Sequence, residues 1–164
     1  MDELHNTEEI GEQELRFFVK KNSDYYLAKW SLLDSGETQK RKTWNWAALL
    51  IGVLWLGYRK MYRYVFICFT GFFLIDIISL ITKVNIDKFI GIILAAVLCI
   101  EGNRFYYIFT KKKLNQIMAK TSDPDLQRSQ IMRLGGTSWI GVLVVVLLLC
   151  VEVVFVTEIK SFLR

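Results

Sequence analysis

Three apolar runs, Tyr64–Thr82, Phe89–Phe109 and Trp139–Thr157, set the terms on which this chain can fold. They hold 19, 21 and 19 residues. Asp76 is the one charge in the first, Glu101 and Arg104 lie near the far end of the second, and Glu152 sits in the third. A helix needs about 20 apolar residues to cross a hydrocarbon core, and lipid tolerates only segments that satisfy their own backbone. An all-α membrane protein with three transmembrane helices is therefore expected. Of the 164 residues 53% are hydrophobic yet 23% are charged, so the charges must occupy the blocks between the runs. Such a composition excludes a disordered chain, a collagen-like fibre and a disulfide-stapled secreted scaffold.

A fourth segment, 44–58, is shorter. Sixteen uncharged residues separate Lys42 from Arg59, and the strongly apolar part, Trp46 to Leu56, would rise only about 16 Å as a helix, half a hydrocarbon core. Trp44, Trp46, Trp55 and Tyr58 have the makeup of a headgroup-level aromatic belt. A short interfacial or re-entrant aromatic helix is expected there, with Asn45 able to cap it. Charge then selects the threading. If this segment spanned, Lys and Arg would divide 11 to 10 between the two sides; if it dips in and returns, they divide 17 to 4. The positive-inside rule prefers the second. The expected arrangement is a polar cytoplasmic segment, 1–43, followed by a helical membrane domain, 44–164. Its spans are near 64–82, 89–109 and 139–157, and 110–138 forms a cytoplasmic loop.

The opening MDELHNTEEIGEQEL is acidic and polar, the reverse of a secretory signal, so internal segments are expected to direct membrane entry. Farther on, Ser23 is a candidate N-cap for SDYYLAKWSLLD, in which Tyr26, Trp30 and Leu33 recur on one helical face beside Leu27. That face either lies among headgroups or packs on the protein itself. After Phe109, Leu114, Ile117 and Met118 keep helical spacing, so the second long helix is expected to continue past the membrane. Ser122 or Asp123 ahead of Pro124 starts a further helix, and Gly135-Gly136 ends it.

The chemistry-bearing residues are few. His5 has no partners at ligand spacing, and Cys68, Cys99 and Cys150 fall one in each apolar run with no C-x-x-C pair. Nucleotide, nucleophile-elbow and zinc-protease motifs are missing, so no catalytic residue, cofactor or metal is expected, and an enzyme is not expected. The net charge of +5 is clustered beside apolar runs, which suits anionic headgroups rather than nucleic acid. Trp44, Trp46, Arg59, Lys60 and Arg63 are the expected headgroup contacts. Ionisable groups at membrane depth are costly and are read by default as functional candidates. Glu101 and Arg104, three apart, can form a structural pair. Asp76 and Glu152 lie six and five residues before Thr82 and Thr157, about 9 and 7.5 Å from those ends, so they share a depth. They could form a cation or proton site, or each could be settled by protonation or by neighbours such as Ser79. Gly91 and Ala95 offer a small-xxx-small face for close helix approach.

Two patches carry a family resemblance. Trp44-Asn45-Trp46-Ala47-Ala48, then Trp55 and Tyr58-Arg59-Lys60-Met61-Tyr62, resemble the N-W-x-A-F…W-x-x-Y-R-K-M-Y core of the bacterial membrane proteins grouped as domain of unknown function 2628. Gly102-Asn103 followed by Tyr106-Tyr107 is similar to that family's G-N-x-x-Y stretch, and FVKKNSDYYLAKW resembles its lead-in. Ala48 stands where family members often carry phenylalanine. The resemblance covers about residues 17 to 113 and implies a bacterial inner-membrane location without lending a reaction. From these readings the leading expectation is a binding or accessory protein that presents basic cytoplasmic segments to anionic lipid or to a membrane-protein partner. The alternative is a homo-oligomeric transporter or channel subunit using its intramembrane acids.

Overall fold

The computed structural model describes residues 10–34, 44–84 and 87–162, and every regular element among them is helical. In chain order these are α1 (Glu12–Val19), α2 (Ser23–Asp34), α3 (Trp46–Ile51), α4 (Val53–Tyr58), α5 (Tyr62–Thr82), α6 (Asp87–Met118), α7 (Pro124–Leu134) and α8 (Trp139–Phe162). His5 lies outside the described residues. Three stretches are long and apolar enough to cross a membrane: Tyr62–Thr82, Phe89–Met118 and the region Pro124–Phe162 that contains α8. Their outer faces carry large apolar side chains, among them Phe66, Ile67, Ile140 and Leu147, as a lipid solvent requires.

The chain divides into two compact units. One unit joins the described part of Met1–Arg41 to Arg104–Gly136; the other joins Lys42–Asn103 to Thr137–Arg164. Helix α6 contributes to both.

In the first unit, α1 opens with Glu12 and Glu14, whose charge suits the positive end of the helix dipole. It buries Leu15, Phe18 and Val19. Ser23 is the first residue of α2 rather than its cap; Asn22, with φ 63°, precedes it and accepts the Tyr26 N–H. Asn adopts this left-handed conformation more readily than most residues. The aromatic face of α2 settles on the protein itself. Tyr26 and Trp30 are buried, with the Tyr26 and Tyr106 rings 5.0 Å apart and the Trp30 and Tyr107 rings 5.2 Å apart. Phe18 meets Phe109 edge-on at 6.1 Å. The predicted continuation of α6 supplies the other wall through Leu114 and Ile117, both buried.

Helix α7 begins where the sequence places it, with Pro124 in its first turn and the Asp123 side chain accepting from the Asp125 and Leu126 N–H groups. Asp123→Ala is expected to cost about 1 kcal/mol, the ordinary worth of a cap. Faster amide exchange confined to the first turn of α7 would register it. The helix ends at Gly135-Gly136, where the Gly136 N–H donates to the Phe18 carbonyl at 2.6 Å.

In the second unit the segment 44–58 forms two six-residue helices, α3 and α4, broken at Gly52, whose φ of +48° suits glycine. Each rises about 9 Å, far short of a hydrocarbon core. Asn45 caps α3 as expected, its Oδ1 accepting from the Ala48 N–H at 3.0 Å. Ser138 caps α8 in the same way toward the Gly141 N–H, and its own N–H donates to the Tyr58 carbonyl at 2.8 Å. Helix α4 lies flush on α8, because Gly57 faces Gly141. The close approach expected at Gly91 is not realised: a Cβ there would meet nothing within 4 Å.

Candidate functional site

The spans bring two of the intramembrane charges together. Asp76 on α5 and Glu152 on α8 line one cavity of about 350 Å³, walled by Phe72, Ile75, Ile90 and Val156. Helix α8 runs five residues beyond Thr157, so the shared level comes from packing rather than from matched helix ends. Thr157 and Lys160 also line this cavity. Thr157 Oγ1 donates to the Val153 carbonyl at 2.7 Å, which spends its hydrogen and leaves its lone pairs as acceptors. One Glu152 oxygen, Oε1, is buried and finds no hydrogen-bond partner among the described residues. On the other side of Glu152 lies an apolar groove of about 430 Å³, formed by Phe69, Thr70, Phe73, Leu148, Val151 and Phe155. Chemically, this is a carboxylate pair at the head of a hydrocarbon slot. Among the described residues no His, Cys, Asp or Glu group has the makeup of a metal site.

The remaining candidates are distributed elsewhere. Glu101 is half-buried and Arg104 exposed, one turn apart on α6. Trp44 and Trp46 are exposed with their rings 5.5 Å apart, and Arg63 is exposed on α5. Lys60 is partly exposed. Arg59 departs from the expectation of headgroup contact, being only 3% exposed. It ends α4, where its N–H donates to the Trp55 carbonyl at 2.9 Å and its guanidinium sits 5.8 Å from the Tyr58 ring centre.

A buried joint lies between Asn45 and Asn103, a contact that neither residue's sequence context announces. Asn45 Nδ2 donates to Asn103 Oδ1 at 3.0 Å, and the Asn45 N–H donates to the Cys99 carbonyl at 2.8 Å. Asn103 Nδ2 reaches back to the Trp44 carbonyl at 3.5 Å. Gly102 lies against Ala48, Asn45 and Trp55, so both sequence patches meet at one place. In the other unit, side-chain hydrogen bonds from Arg16 to Asp24 and then to Glu12 raise the Arg16 guanidinium above its already high range. It stays charged at any physiological pH.

A family model described as Protein of unknown function (DUF2628) matches residues 8–112, from ahead of α1 to well into α6. No curated protein and no solved structure matches the chain. The matched residues cover well over half of the chain and include both patches that converge on the Asn45–Asn103 joint; the chain belongs to the DUF2628 family.

Proposed function

We propose that this protein works by binding rather than by catalysis. It sits in the bacterial inner membrane with its N-terminus in the cytoplasm, and presents a folded basic surface to anionic headgroups or to an acidic membrane-protein partner. The observation that carries this reading is the make-up of the α1–α2–α7 unit. Its interior is aromatic, built on Tyr26, Trp30 and Tyr106, while its described residues hold eleven Lys and Arg against six Asp and Glu. Those cations are exposed or half-exposed. Several are held by ring contacts, with Lys111 4.6 Å from the Tyr107 centroid and Arg128 4.7 Å from that of Phe17. A surface of this kind draws acidic partners over about a Debye length and loses them as salt rises.

Photocrosslinking from native membranes, with a probe at Lys112, tests the proposal. Capture of anionic lipid or of one stoichiometric membrane protein is expected, and it should fall when Lys111, Lys112 and Lys113 are all changed to Glu. Recovery of this chain alone, as a defined oligomer, would overturn it. That outcome would favour a second reading, a transporter or channel subunit, for which the shared cavity of Asp76 and Glu152 is the supporting observation.

A further inference from the structure

Among the described residues, the membrane unit is crowded at one end. Helices α3 and α4 both pack there: Ala48 and Trp55 lie against Gly102 of α6, and Gly57 lies against Gly141 and Val145 of α8. With the starts of α5 and α8 and the Cys99–Asn103 turn of α6, five helical segments share this end. The cavity farther along the spans is lined by α5, α6 and α8 alone. The two short helices form layers. Helix α4 buries Val53, Trp55, Leu56 and Gly57, whereas α3 buries Ala48 and turns Trp46, Ala47, Leu50 and Ile51 outward, with Leu50 80% exposed. That outward face is wholly apolar, and no charged residue occurs between Thr43 and Tyr58. Its level is set by the contacts beneath it, since Gly141 and Val145 belong to the apolar run of α8, which suits hydrocarbon. Trp44, Tyr62 and Trp139 are exposed around the same end, where aromatic side chains favour headgroup level. Each short helix rises about 9 Å, less than the roughly 15 Å of a single leaflet.

We propose that α3 and α4 form a wedge in one leaflet. Acyl chains of that leaflet cover Trp46, Leu50 and Ile51, and the protein collects where the leaflet is convex and its lipids are spread apart. Area is the reason. Two extra helices, each about 10 Å across, displace lipid from one leaflet and none from the other. Convex curvature supplies that extra area, as it does for shallow apolar helices whose binding tracks curvature. Every residue involved belongs to the membrane unit, so the wedge stands or falls apart from the docking function.

The test uses the full chain with Arg63→Cys in giant vesicles of neutral phosphatidylcholine. A membrane-impermeant maleimide dye added outside marks only molecules whose wedge end faces outward, because Cys68, Cys99 and Cys150 lie within the spans. In tubes pulled from these vesicles the outer leaflet is strongly convex, and the dye should be enriched about twofold or more over the flat membrane. Adding Trp46→Ala and Leu50→Ala, which thins the wedge at exposed positions, should bring that ratio back toward one. A second measurement stands without the tubes: Leu50→Cys should resist the same reagent under conditions that label Arg63→Cys. Equal dye density on tube and flat membrane, depletion from the tube, or an unchanged ratio in a helical, monodisperse alanine variant would each overturn the proposal. So would equal labelling of Leu50→Cys, which would put the face in water, or a Leu50→Cys disulfide between two copies, which would assign it to a dimer.

Discussion

Gly141→Ala is expected to be among the most damaging single substitutions in the membrane unit. A Cβ at Gly141 would be driven into the Gly57 carbonyl oxygen, and one at Gly57 would meet the Gly141 carbonyl oxygen and Val145 Cγ2, both at 2.7 Å. These obstacles are mostly backbone, which cannot rotate aside as a side-chain tip does, so α4 and α8 must separate. Overpacking of this kind typically costs about 1–3 kcal/mol, and a contact blocked by backbone on both helices belongs at the upper end, about 3 kcal/mol. Helix separation would also strain the Ser138 N–H bond to the Tyr58 carbonyl, which lies beside the contact. The check is the detergent-induced unfolding midpoint followed by far-UV circular dichroism. Gly71→Ala and Gly91→Ala provide the contrast, because a Cβ at either position meets nothing within 4 Å. Alanine is the better helix former, so both should hold or slightly raise the midpoint. Equal loss in all three variants would mean that the Gly57–Gly141 approach is not what holds α4 on α8.

The parts of this molecule written in local chemistry were legible in its sequence. Hydropathy located α5, α6 and α8 because a lipid solvent leaves no other use for runs of that length. Asn45 and Asp123 announced their helices because a cap acts within three residues. The extension of α6 to Met118 followed from the spacing of Leu114 and Ile117. What stayed hidden depends on which surfaces meet. Amphipathicity marks the face of α2 but not its partner, and lipid and a neighbouring helix both accept Tyr26 and Trp30. Only the ring contacts to Tyr106 and Tyr107 decide between them.

Glycine shows the same gap at the close helix contact. Gly91 had the spacing of a packing motif and Gly57 did not, yet Gly57 is the one in contact, since close approach needs a glycine opposite it on the facing helix. Arg59 reads as a surface cation beside Lys60 and Arg63, but the turn that ends α4 carries it inward. For the candidate site, the two acids were readable as charges within apolar runs. Lys160 and Thr157 were not, because the apolar run stops at Thr157 while the helix continues to Phe162.

Asn45 holds two jobs in one side chain, and substitutions can separate them. Its Oδ1 caps α3 through the Ala48 N–H, and its Nδ2 bridges to Asn103 Oδ1 on α6, with both side chains essentially buried. Asn45→Ala should lose the cap, worth about 1 kcal/mol, and the buried bond to Asn103, a loss of about 1–3 kcal/mol. The combined loss is about 2–4 kcal/mol. Asn45→Ser keeps a capping oxygen but is too short to bridge, so it should lose only the second part. Asn103→Ala strands Asn45 Nδ2 in turn, and the Trp44 carbonyl loses a long contact of 3.5 Å. The decisive variant carries both alanines. Once both partners are gone neither asparagine leaves the other without its partner, so the double variant should cost less than the sum of the singles by about 0.5–3 kcal/mol, the range for directly coupled neighbours. Unfolding midpoints of the four proteins close this cycle, and amide exchange in α3 reports where the loss falls. Strict additivity would show that the two asparagines stabilise the fold separately. Coupling would establish that the Asn45–Asn103 bond is part of what holds the tryptophan-rich segment on α6.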